Sequence, residues 1–218
     1  MQQNKLAQYL DQTLLKVDTT LQLVEELCKR SAELSIGGVC IPPFFTSAAS
    51  KILKETDTKL VTVVGFPFGY DNVTAKAEAT KKVIQDGADE VDMVMNIGAF
   101  LNNNYNHVAD EIESLNTLCH MNDKGLKVII ETCLLTTDQI KKACEICAEK
   151  EVDFVKTSTG FNGPGAQIET IKLMRSILPA SIKIKASGGI KDRQTTLEMI
   201  NAGADRIGTS SGFKILEA

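Results

Sequence analysis

Short, β-branched apolar runs alternate with longer stretches whose apolar positions recur at helical spacing, from one end of the chain to the other. The runs at 36–41, 59–65, 90–95, 127–131, 152–156, 181–185 and 206–208 predict strands. An eighth is expected near 9–14, behind a short N-terminal helix. Helix signals fill the gaps. Thr19-x-x-Gln22 has the form of a capping box ahead of Leu21, Val24, Leu27 and Leu34. Asn72 or Thr74 can cap the helix that Gly87 ends, and Thr136 or Thr137 a later one. Pro179 stops the helix begun near Ala166.

A faint repeat organises these elements. Gly87-Ala88-Asp89, Glu151-Val152-Asp153 and Gly203-Ala204-Asp205 each precede a strand, and their aspartates are 64 and 52 residues apart. One further strand falls inside each step, so a strand–helix unit is about 26–32 residues, close to one eighth of the 218-residue chain. Repeated units of this kind give parallel strands with right-handed crossovers. Eight of them predict a compact (β/α)8 TIM barrel, with residues 1–218 as a single domain. An open doubly wound sheet is the alternative, but no G-x-G-x-x-G follows the first strand.

Composition narrows the function. The net charge is −4 and the 24 basic residues are scattered, which argues against nucleic-acid binding. No apolar run reaches the ~18 residues of a membrane span. Nothing in the first residues resembles a secretion signal, so a cytoplasmic location is expected. Six cysteines are too few for a disulfide scaffold and are expected to be free thiols. Cys144-Glu-Ile-Cys147 lies mid-helix without a second pair at zinc spacing, and no metal site is expected.

Candidate chemistry lies at strand ends, where this fold carries its sites. Lys156 ends an apolar strand before Thr157-Ser158-Thr159-Gly160, and Lys185 ends the next before a Gly188-Gly189 turn. Each lysine could equally be a solvated strand end. If both face one cavity, mutual repulsion and partial desolvation would lower an amine pKa and favour attack on a carbonyl. Asp92, flanked by Val91 and Met93, faces inward with Glu90 by alternation and could move a proton or form a structural ion pair. Gly188-Gly189 and Gly208-Thr209-Ser210-Ser211 supply turns and helix starts that suit a phosphate.

With these motifs stand Leu10-Asp11-Gln12-Thr13, Gly38-Val39-Cys40-Ile41, Val63-Val64-Gly65-Phe66-Pro67 and Lys127-Val128-Ile129-Ile130-Glu131. Together they resemble, over nearly the full chain, the class I deoxyribose-phosphate aldolases. The resemblance implies reversible cleavage of 2-deoxy-D-ribose 5-phosphate to D-glyceraldehyde 3-phosphate and acetaldehyde, with no cofactor. It implies Lys156 as the Schiff-base lysine, Asp92 and Lys185 as a proton relay, and Asp11 as a residue orienting the relay or a substrate hydroxyl. Gly160, Gly188, Gly189, Ser210 and Ser211 are then expected at the phosphate, and Cys40 near the aldehyde pocket. The scission is placed at C3–C4 with loss of the C3-hydroxyl proton. A homodimer is admitted. Some relatives end in a tyrosine that assists proton transfer; this chain ends Leu216-Glu217-Ala218.

Two other functions compete: a phosphosugar isomerase, which would need a Glu–His pair at the rim, and a non-catalytic phosphosugar-binding barrel. One residue departs from the family pattern. Lys183 shares parity with Lys185, so it is expected to point inward and to pair with Glu90 or Glu131 in a polar layer beneath the site. The opposing expectation leaves it in solvent at the lower mouth.

Overall fold

A computed structural model describes all of residues 1–218. Helix α1 (Gln3–Ala7) leads into β1 (Leu10–Thr13) and α2 (Leu21–Glu33). Then come β2 (Gly38–Ile41), α3 (Thr46–Leu53), β3 (Lys59–Val64) and α4 (Val73–Gln85). They are followed by β4 (Glu90–Val94), α5 (Ile97–Leu101), α6 (Tyr105–His120) and β5 (Gly125–Ile129). The chain closes with α7 (Thr137–Glu149), β6 (Phe154–Lys156), α8 (Ile168–Ile177), β7 (Lys183–Ser187), α9 (Arg193–Asn201), β8 (Arg206–Thr209) and α10 (Gly212–Glu217). The eight strands pair in parallel, in chain order, and β8 returns to β1 to close a barrel.

Local signals explain most boundaries. Asn72 accepts from Ala75 N–H at the start of α4, and Thr136 with Gln139 forms a complete capping box on α7. On α2 the cap is Thr20, one residue past the expected Thr19. Strand β5 starts earlier and ends earlier than expected. Glu131 adopts a left-handed conformation (φ 51°), which breaks the strand. Strand β7 begins at Lys183 rather than Ser181 and runs on to Ser187.

The repeat has a physical basis. The Asp89, Asp153 and Asp205 carboxylates accept the backbone N–H of Leu60, Leu126 and Ile184 at 2.9, 2.8 and 2.8 Å. Each thus ties the start of one strand to the entry of the next. The residue two places before each aspartate is left-handed: Gly87, Glu151 and Gly203. That conformation turns the chain out of the preceding helix.

The main apolar core, 39 buried residues, lies between the strands and the helical ring. Inside the barrel only Cys40, Val61 and Val63 form an apolar cluster. Much of the remaining lumen is charged. The Phe154 ring lies in its lower part, with Lys127 Nζ, Lys183 Nζ and Arg206 Cζ at 5.3, 5.4 and 5.8 Å from its centroid. All six cysteines are free thiols, and no helix is long and apolar enough to cross a membrane.

Candidate active site

Alternation sends every second residue of each strand into the lumen. On β4, β6, β7 and β1 those residues include Asp92, Lys156, Lys185 and Asp11, and the barrel brings the four together. Lys156 Nζ and Lys185 Nζ both donate to Asp92 Oδ2, each at 2.8 Å. Lys185 Nζ also contacts Asp11 Oδ2 at 2.5 Å. Asp11, Asp92 and Lys185 are wholly buried.

A second tier lies beneath, and sequence reasoning misassigned it. Lys127 Nζ reaches Asp92 Oδ1 at 3.1 Å and also donates to Glu90. Arg206 donates to Asp11 Oδ1 at 2.6 Å and to Glu90 Oε1 at 3.4 Å. The polar layer exists, but Lys127 and Arg206 form it. Lys183 is exposed at the lower mouth, makes no salt bridge, and rests over Phe154. Barrel strands are tilted, so residues paired across neighbouring strands sit progressively lower around the barrel. Lys183 pairs with Phe154, which pairs with Lys127, which pairs with Asp92. Three strands of tilt put Lys183 below the layer that parity alone assigned to it.

Glu131 does not join that layer either. Its carboxylate accepts Thr159 N–H at 3.1 Å, Thr159 Oγ1–H at 2.5 Å and Asn162 Nδ2–H at 2.9 Å. It tethers the loop that follows Lys156. Two glycines make room for the charges. A β-carbon at Gly38 would lie 2.3 Å from Asp11 Oδ1, and one at Gly208 would lie 3.1 Å from Lys185 Cε.

Charge balance sets the ionisation. Burial alone would push the Asp92 carboxyl up, but Lys127, Lys156 and Lys185 hold it well below the usual range. For Asp11 burial is likewise outweighed, by Arg206, Lys185 and Lys127. Burial disfavours the Lys185 charge, yet Asp11 and Asp92 raise its pKa, so it keeps its proton. Lys127 is raised against burial by Asp92 and Glu90.

Above this cluster opens a cavity of about 230 Å³ lined by Lys156, Gly160, Ser187, Gly188, Gly189, Gly208 and Ser210, with Thr13, Lys16 and Lys191. Lys156 lines it; Lys185 does not. Gly160, Gly188 and Gly189 are left-handed (φ 85°, 85° and 78°), as the turns after β6 and β7 require. The backbone N–H groups of Gly160, Gly188, Gly189 and Ser210 have no protein acceptor.

Three expectations change. The helix starts do not line the cavity: Asp192 caps α9 through Thr195 N–H, and Gln12 Oε1 takes the Gly212 N–H that opens α10. Ser211 stands beyond the lining, its N–H bound to Thr209 Oγ1. Cys40 is buried below the cavity beside Val61 and Val63 rather than lining it, and burial pushes its thiol up to about 11. Arg206 was missed altogether, although its parity with Gly208 at the start of β8 marks it as inward.

A closed barrel with a lysine cluster at the strand ends defines a barrel enzyme of the aldolase class. The chain belongs to the DeoC/LacD family of aldolases, whose family model matches residues 5–218. It is 48% identical to a deoxyribose-phosphate aldolase of Clostridium tetani over 98% of each chain. It is 43% identical to that of Thermococcus kodakarensis, over 100% of this chain and 98% of the relative. A tetrameric deoxyribose phosphate aldolase structure from Aeropyrum pernix superposes with a TM-score of 0.92 at 30% identity, covering 99% of this chain and 91% of that one.

Proposed function

We propose that this aldolase reversibly cleaves 2-deoxy-D-ribose 5-phosphate to D-glyceraldehyde 3-phosphate and acetaldehyde through an imine on Lys156. One observation carries the choice of nucleophile. Lys156 is the lysine of the cluster that lines the cavity, and it touches one carboxylate where Lys185 touches two. Lys185 therefore serves as the fixed cation and Lys156 as the amine that attacks C1.

Attack and loss of water give an iminium at C1. Carbon balance corrects the scission read from the sequence: the two-carbon product holds C1 and C2, so the C2–C3 bond breaks. The C3 hydroxyl gives up its proton, C3 becomes the carbonyl of glyceraldehyde 3-phosphate, and the bonding pair forms the C1–C2 enamine. In the relay of Asp92 and Lys185, joined at 2.8 Å, the Asp92 carboxylate accepts this proton and later returns one to C2, while the Lys185 ammonium group holds the charge in balance. Asp11, which contacts Lys185 from the side away from Lys156, positions the relay.

The phosphate is assigned to the free N–H groups of Gly160, Gly188, Gly189 and Ser210, with Lys16 and Lys191 at the rim. Residues 1–218 act as one barrel domain in this scheme, placed in the cytoplasm. The homodimer is retained as the assembly to test by analytical ultracentrifugation, against a tetramer like that of the Aeropyrum relative.

Borohydride reduction in the presence of acetaldehyde, followed by peptide mass mapping, tests the nucleophile. The adduct is expected on Lys156, and Lys156→Ala should abolish both trapping and turnover. An adduct on Lys185 would overturn the assignment.

A further inference from the structure

We propose that Ser187 reads the substrate hydroxyl on C4, the carbon between the scissile bond and the phosphate-bearing carbon. This rests on the aldolase reading above and extends it. In that reading C1 goes to Lys156, the C3 hydroxyl to the relay and the phosphate to the glycine turns. The C4 hydroxyl is left without a partner.

The hydroxyls around the cavity are not equally free. Thr13 Oγ1 donates to Asp11 O at 3.0 Å, Thr159 Oγ1 to Glu131 at 2.5 Å and Thr209 Oγ1 to Ile190 O at 2.6 Å. Ser210 is exposed at the rim. Ser187 is 5% exposed and lines the cavity; its Oγ has no hydrogen-bond partner and is tucked against Gly208, closed to solvent, so that a turn about χ1 presents it to a ligand. Ser31 and Ser158 are also buried and unpartnered, but neither lines the cavity.

An unpaired hydroxyl in a site is costly until something binds it. The structure keeps room for this one. A β-carbon at Gly208 would lie 2.5 Å from Ser187 Oγ, so glycine is the residue there that leaves the hydroxyl free. The backbone of Ser187 is fixed independently. Its N–H donates to Thr157 Oγ1 at 3.1 Å, and its carbonyl accepts Ala166 N–H at 2.9 Å. Position agrees with the assignment. Ser187 is two residues beyond Lys185 on the same face of β7 and directly precedes Gly188-Gly189. It thus stands between the proton relay and the phosphate turns, as C4 stands between C3 and the phosphate-bearing carbon.

The test compares two acceptors in the addition direction with acetaldehyde: D-glyceraldehyde 3-phosphate and 3-oxopropyl phosphate, which lacks the hydroxyl. One hydrogen bond in a buried site corresponds to about a tenfold preference. Wild-type enzyme should favour the hydroxylated acceptor in kcat/KM by about that factor, and Ser187→Ala should reduce the ratio to about one. Ser187→Cys, with a weak donor of similar size, should fall between. A ratio that Ser187→Ala leaves unchanged, including one in which both acceptors suffer alike, overturns the assignment. Borohydride trapping of acetaldehyde on the wild-type enzyme tests the parent reading separately: an adduct on Lys156 upholds it, and no adduct overturns both.

Discussion

At the scale of single residues the site is a problem in charge neutralisation. Asp92 is the only carboxylate that Lys156 touches, and it is shared by Lys127 and Lys185. Asp92→Asn would leave the buried Lys127 and Lys185 ammonium groups short of one negative charge. Breaking a buried pair on one side costs about 3–5 kcal/mol. Loss of the relay should reduce kcat by about 10²–10⁴-fold. Chemical denaturation and steady-state kinetics read the two effects. A variant with wild-type stability would show that Lys127 and Lys185 find compensation elsewhere.

Which of these residues could be found without coordinates depends on how local their signal is. Lys156, Asp92 and Lys185 were legible because alternation and a strand-end position both act within a few residues. The partners of Lys127 and Arg206 were not, since they follow from the tilt of strands around a closed barrel. That same tilt removed Lys183 from the layer. Glu131 was hidden for another reason: its left-handed backbone turns an apparent strand residue into a tether for the loop beyond Lys156.

At the scale of elements, parallel strands are held in register by side chains as well as by the ladder. The repeat aspartates show it most directly. Asp153→Ala removes the acceptor of Leu126 N–H and should cost about 1 kcal/mol, lowering Tm by about 2–4 °C. Differential scanning calorimetry reads this, and catalysis should change little, since Asp153 lies at the opposite end of the barrel from the cavity. An unaltered Tm would mean that the aspartate recurs without bearing on strand entry. The eight strands and their order were legible because this repeat and the capping residues punctuate the chain. The boundaries shifted where a left-handed residue intervened.

For the whole molecule, the two signs of charge in the lumen bracket a pH range. Asp11 and Asp92 titrate below their unfolded values, so their stabilisation is complete above about pH 4 and is lost as the pH falls below it. Lys127 and Lys185 titrate above theirs, so their contribution is complete below about pH 10 and is lost as the pH rises past it. Tm should form a plateau between about pH 5 and about pH 9 and decline on both flanks. A Tm that stays level from about pH 3 to about pH 11 would show that the cluster does not couple folding to protons.

The Phe154 ring, with two cations above it and Lys183 outside, lies across the lower end of the lumen. In the proposed reaction substrate enters at the opposite end, over Lys156. A sugar phosphate seated there would cover the cluster from above. Each proton taken from C3 would then have to be stored in the cluster, between the seated substrate and the ring, until it is returned to C2.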